Sequence, residues 1–102
     1  MPESRAELSL KKSFTPEEFN RLKNGLIPRE MEDKWFIFFE DNYLYFHRSW
    51  TGFEIFRIEL APQSDGSATI RQGWVNRDKT QYSGEDPAEE LRTVTFLLDK
   101  LI

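Results

Sequence analysis

The densest apolar stretch of the chain, KWFIFFEDNYLYFHRS at residues 34–49, is interrupted once, at Glu40-Asp41-Asn42. Runs rich in aromatic and aliphatic residues on both sides predict two strands, and Asp41-Asn42 tolerate the positive φ angles of a two-residue hairpin turn. With that loop Glu40 faces Tyr43 and Lys34 faces Ser49. Directly opposed residues share a sheet face. One face therefore gathers Trp35, Ile37, Phe39, Leu44, Phe46 and Arg48, and the other Phe36, Phe38, Tyr43, Tyr45 and His47.

Flanking patterns extend the picture. Residues 1–7 are polar and expected to be flexible, after which Leu8, Leu10 and Phe14 mark a short strand or an entry segment. In FTPEEF, Thr15 can cap a helix, Pro16 suits its first position, Glu18 completes a capping box and Phe14 can staple onto Phe19. The helix is expected over residues 16–24, with Phe19, Leu22 and Leu26 on its buried side and Gly25 as its left-handed terminator. After a turn at SWTG, FEIFRIELAP reads as a third strand and ATIRQGWVN as a fourth, giving an antiparallel meander. Asp86 and Pro87 open a final helix whose stripe of Leu91, Val94, Leu98 and Leu101 repeats at the helical period. The expected architecture is α+β, a four-stranded antiparallel sheet flanked by an N-terminal and a C-terminal helix, in one domain spanning residues 1–102.

Two helices cover one sheet face, so the aromatic residues of the other need a second covering. Three coverings remain open: the loop near residues 61–68 with the N-terminal segment, a second copy of the chain, or a ligand. Composition sharpens the question, because aromatic residues make up 15% of the chain, nine of them Phe, so much of the core must be aromatic.

The formal net charge of -4 argues against duplex nucleic acid, which is bound through clustered Lys and Arg. Residues 34–84 balance at six basic and six acidic side chains, whereas residues 85–102 hold two basic and five acidic ones. The longest uninterrupted apolar run is residues 35–39, and MPESRAELS lacks the apolar core of a signal peptide, so no membrane partner and a cytoplasmic location are expected. Zero cysteines exclude disulfides, thiolate metal sites and a cysteine nucleophile. One histidine cannot build a standard zinc site, and a carboxylate Mg²⁺ site drawn from Glu30, Glu32, Asp33, Glu40 or Asp41 has no defining spacing, so no metal or cofactor is expected. There is no Gly-rich phosphate loop or nucleophile elbow, and a triad of Ser49, His47 and a carboxylate fails because adjacent strand residues face opposite ways.

The candidate chemistry gathers around LYFHRSWTGF. His47 and Glu54 fall on one sheet face, opposite each other if SWTG forms the loop, and a carboxylate so placed is expected to raise the imidazole pKa. That pair suits acid–base work, and equally an ordinary cross-strand contact. Arg48 points to the other face, to stack on Trp35 or to pair with Asp33 or Glu32. Trp50 folds back on the sheet or walls a pocket, while Thr51 and Gly52 shape the turn. In RQGWVNR, alternation places Ile70, Gln72, Trp74 and Asn76 together, either on an arginine-protected edge strand or as part of a stacking platform, and Gly73 marks a bulge or close backbone approach.

The stretch GLIPREMEDKWFIFFEDNYLYFHRSWTGFEIF, with FTPEEF before it, resembles a family of small uncharacterised bacterial proteins that share a Lys/Arg-Trp-Phe strand and a Leu-Tyr-Phe-His-Arg-Ser-Trp-Thr-Gly hairpin. The resemblance covers about half the chain. It implies that Lys34, Trp35, His47, Arg48, Ser49, Trp50, Thr51 and Gly52 form the family signature. Similar segments occur near or within proteins of ADP-ribose metabolism, and no activity or residue role transfers from either likeness.

The leading expectation is a non-enzymatic binding or regulatory module for a small anionic or nucleotide-like ligand. Tyr45, Trp50 and Trp74 would supply apolar or stacking surfaces, and His47, Arg48 and the turn around Thr51 would meet negative charge. The alternatives are an interaction subunit using the aromatic face, as a homodimer or with another protein, and a small hydrolase or transferase using His47 with Glu54.

Overall fold

The computed structural model describes residues 1–28 and 34–102. One side of its sheet is the hairpin of β3 (Trp35–Glu40) and β4 (Tyr43–Arg48), in the register the alternation predicts: Glu40 opposite Tyr43, Phe38 opposite Tyr45, Phe36 opposite His47. Asp41 and Asn42 close it with φ of 52° and 68°. Positive φ at both loop positions matches the right-handed twist of the flanking strands.

Strands β5 (Glu54–Pro62) and β6 (Ala68–Asn76) continue the antiparallel meander. Each new pairing contains one irregularity. His47 pairs with Glu54 and Phe46 with Phe56, which leaves Ile55 as the extra residue between them. Likewise Glu59 pairs with Gln72 and Leu60 with Ile70, leaving Arg71 extra. A bulge of this kind breaks strict alternation. Ile70 accordingly joins the core, with Leu60, instead of sharing a face with Gln72 and Trp74.

The sheet has six strands, not the four expected, in the order β1-β6-β5-β4-β3, with β2 also on β6. Strands β1 (Arg5–Glu7) and β2 (Ser13–Phe14) both pair with β6, so the N-terminal residues expected to be flexible are partly in the sheet. The strand RQGWVN is therefore flanked on both sides and is not an edge. Leu8 donates its N–H to the Gly73 carbonyl at 2.8 Å, and a Cβ on Gly73 would lie 3.1 Å from the Leu8 oxygen, so the glycine serves a close backbone approach.

Helix α1 (Pro16–Leu22) carries both halves of its capping box: the Glu18 N–H donates to Thr15 Oγ1, and the Thr15 N–H donates to the Glu18 carboxylate. It stops short of the expected Asn24. Gly25, at φ 65°, then turns the chain so that Leu26 exchanges two backbone hydrogen bonds of 2.8 Å with Ile37 on the outer side of β3. A Cβ at Gly25 would overlap the Ile37 carbonyl, which makes glycine obligatory there.

Helix α2 (Pro87–Leu101) begins at Asp86, whose carboxylate accepts from the Ala88 N–H. Its buried side is Glu90, Val94, Leu97 and Leu98, rotated from the expected stripe; Leu91 and Leu101 are half-buried. Both helices pack on the face holding Ile37, Leu44, Phe46, Phe56, Ile58 and Val75. Phe19 of α1 meets Phe39 edge to face at 5.8 Å. Among the described residues no helix is long and apolar enough to cross a membrane.

Candidate functional site

Because consecutive strand residues face opposite ways, the side chains of His47 and Arg48 leave β4 on different faces of the sheet. On the helix side the Arg48 guanidinium lies 4.6 Å from the centre of the Trp35 ring, and Trp35 stacks on Phe56 at 5.6 Å. The expected stacking of Arg48 on Trp35 is thus present. The alternative partners Asp33 and Glu32 lie outside the described residues, as does Glu30.

The chain then turns sharply. Gly52, at φ 76°, donates to the Arg48 carbonyl at 2.8 Å, and Thr51 Oγ1 accepts from the Phe53 N–H. Trp50 stands 74% exposed at the tip. It forms one wall of a groove of about 560 Å³, with Lys34, Arg48 and Thr51 on the hairpin side and Gln81, Tyr82 and Ser83 on the other. Among the described lining residues none is a carboxylate. The groove adjoins a smaller cleft of about 280 Å³ at the start of α2, with Arg48, Tyr82 and Ser83 common to both.

The wall opposite the hairpin comes from residues 77–86, which connect β6 to α2. Buried Asn76 anchors this segment by donating Nδ2 to the Gln81 side chain and the Glu54 carbonyl, both at 2.9 Å, while its Oδ1 accepts from the Asp78 N–H. The Asp78 carbonyl accepts from the N–H groups of Gln81 and Tyr82, and its carboxylate, held low by bonds from Thr80, closes a local turn. Arg77 makes a two-pronged pair with buried Glu90, at 2.6 and 2.7 Å. Burial works to raise the Glu90 carboxyl, but hydrogen bonds from Arg77 and the Tyr82 hydroxyl outweigh it and hold the group below the usual carboxylate range. Burial and the bond to Glu90 push the Tyr82 phenol well up. The ring of Tyr82 packs edge-on to Phe56.

The opposite sheet face is organised differently. One row across the strands runs Phe38, Tyr45, Arg57, Trp74. Phe38 stacks on Tyr45 at 4.8 Å, and the Arg57 guanidinium lies 4.9 Å from the same ring from the neighbouring strand. Both faces of Tyr45 are occupied. Trp74 is approached by Arg5 at 5.9 Å and tilted against Tyr43 at 6.4 Å.

His47 stands directly opposite Glu54, as expected, yet the carboxylate is directed elsewhere. It takes a two-pronged pair from Arg57 at 2.6 and 2.7 Å and the Met1 amine at 2.9 Å. Burial tends to raise the Glu54 carboxyl, and these bonds bring it below its ordinary value. The expected rise of the His47 pKa is corrected: burial against Phe38 lowers it and outweighs the attraction of Glu54. Its Nδ1 is buried and makes no hydrogen bond. With Phe36, Phe38, Ile27 and Pro28 it lines a depression of about 330 Å³ that Arg48, Ser49 and Gly52 also border.

Of the residues singled out from sequence, Arg48, Trp50 and Thr51 therefore line one groove. Tyr45, His47, Glu54 and Trp74 lie across the sheet from it. Residues 81–83 were missed; the signal available was the turn chemistry of NRDKT followed by an aromatic residue before a helix cap. Among the described residues no cluster of three metal-ligating side chains is assembled. Compared with protein-family models, curated proteins and solved structures, the chain matches none.

Proposed function

We propose that this chain is a non-enzymatic binding module that takes a small anionic ligand in the groove beside the β4–β5 turn. The observation that carries this reading is the convergence of Arg48 and Lys34 on a concave surface walled by Trp50, with no carboxylate among its described lining residues. Its volume of about 560 Å³ falls in the range typical of small-molecule sites. Arg48 can offer a planar fork to a carboxylate or phosphate, and Thr51 adds a hydroxyl.

A thermal-shift screen of nucleotides, nucleotide sugars and phosphorylated metabolites tests this. A ligand at one hundred times its dissociation constant adds about 2.7 kcal/mol, which raises the melting temperature of a chain this size by roughly 10 °C. The shift should vanish in Arg48→Ala and persist in His47→Ala. A shift that instead depends on His47 would move the site to the other face.

A second reading is an interaction subunit, favoured by the exposure of Phe36 (39%) and Phe53 (38%) on or beside the aromatic face. It expects concentration-dependent mass in sedimentation, abolished by Phe36→Lys. Hydrolase or transferase chemistry at His47 and Glu54 has less support, since Glu54 is committed to Arg57 and the imidazole's Nδ1 is enclosed.

A further inference from the structure

The Arg77–Glu90 pair is costly to build. Desolvating two charges consumes most of what their attraction returns, and apolar substitutes for such pairs are often as stable. What the pair contributes is placement. Residues 77–86 contain no helix or strand, yet they are tied at Asn76, Asp78 and Arg77, and the Glu90 carboxylate that Arg77 grips borders the same cleft as Tyr82. Every one of these ties bears on a segment whose half-buried ring lines both the groove and the adjoining cleft.

We propose that Tyr82 is the ring-recognising contact of the groove and that Arg77 and Glu90 are positioning residues that hold it there. The ligand class this implies is a small aromatic anion, its ring against Tyr82 and Trp50 and its charged group at Arg48 and Lys34. This deepens the groove reading and rests on it. Tyr45 and Trp74, the aromatic residues that sequence pointed to, are engaged by Phe38 and Arg57, and by Arg5 and Tyr43. Tyr82 packs edge-on to Phe56 and lies against Gly84, and among the described residues no second aromatic ring or cation stacks on it.

Paired titrations with phenyl phosphate and methyl phosphate, followed by the Trp50 indole N–H resonance, test the assignment. The wild type should prefer phenyl phosphate by about tenfold, the scale of one aromatic stacking contact. Tyr82→Leu should bring that ratio near one while methyl phosphate binds as before, a selectivity change that a merely structural role would not produce. Tyr82→Phe, the variant nearest in shape, should lower the ratio by about threefold, because the ring remains without the hydroxyl that helps orient it. A preference that persists unchanged in Tyr82→Leu, or in Tyr82→Phe should the leucine variant not fold, overturns the role given to Tyr82 and leaves the groove standing. Absence of any response to either phosphate in the wild type overturns the groove reading and this assignment together.

Discussion

The two sides of the β3–β4 hairpin use the same residue types to opposite ends. On the open face, aromatic and cationic groups are consumed by one another: Phe38, Tyr45 and Arg57 form a continuous cross-strand stack, and Glu54 completes Arg57's bonding. On the helix side, Arg48 and Trp35 build the floor of a cleft, and Trp50 and Tyr82 wall the groove beside it. The difference is one of shape: Arg48 borders a concave surface, whereas Arg57 lies within a cross-strand row. His47 and Arg48, adjacent in sequence, share the depression beside Phe36, but Arg48 alone of the two also lines the groove.

The contrast can be broken at several points. The largest effect is expected at the groove's buried support. Arg77→Ala leaves Glu90 enclosed without its partner and should cost about 3 kcal/mol in urea denaturation at neutral pH. Because the folded Glu90 carboxyl lies below its unfolded value, its contribution is present above about pH 4.3 and is lost as pH falls through the folded value. The gap between wild type and Arg77→Ala should therefore narrow in acid. A gap independent of pH would assign the loss to packing.

Tyr45→Ala comes next. Removing the middle of the stack should cost about 2 kcal/mol while leaving ligand response at the groove intact. Loss of that response would mean that the two faces are coupled. Smaller still, Asn42→Ala places a side chain with no local hydrogen-bonding capacity at φ 68° and should cost about 1 kcal/mol without touching either surface. The smallest effect belongs to His47. Its folded pKa is depressed, so the unfolded chain binds more protons as pH falls below about 6.5, and the protein loses stability until the folded value is passed. His47→Phe should remove that slope from melting curves taken between neutral and mildly acidic pH.

Much of the frame was legible in the sequence because it rests on local rules. Asp41-Asn42 and strict alternation set the hairpin register, Thr15 and Glu18 set the start of α1, and residues 68–76 were bounded by turn chemistry. What escaped was non-local. Arg5-Ala6-Glu7 carries no strand pattern, and its pairing is induced by the open side of β6. Bulges at Ile55 and Arg71 have no mark of their own in the chain, so alternation puts Ile70 on the wrong face of β6, while Gln72 and Trp74 share theirs as expected. Tyr82 was invisible for a similar reason: it lies in the β6–α2 connection, held by its N–H to the Asp78 carbonyl, where no periodicity applies. Tyr45 could have been discounted by carrying the register to β5, which sets Arg57 beside it.

The most direct test of the groove as the binding surface is a map of backbone and indole N–H shifts during titration with phenyl phosphate. The expected result is movement confined to Lys34, Arg48, Trp50, Thr51 and residues 81–83, with Phe38, Tyr45, His47 and Trp74 unmoved. Movement centred on those last four residues, with Arg48 and Tyr82 silent, would contradict the account and place recognition on the open face.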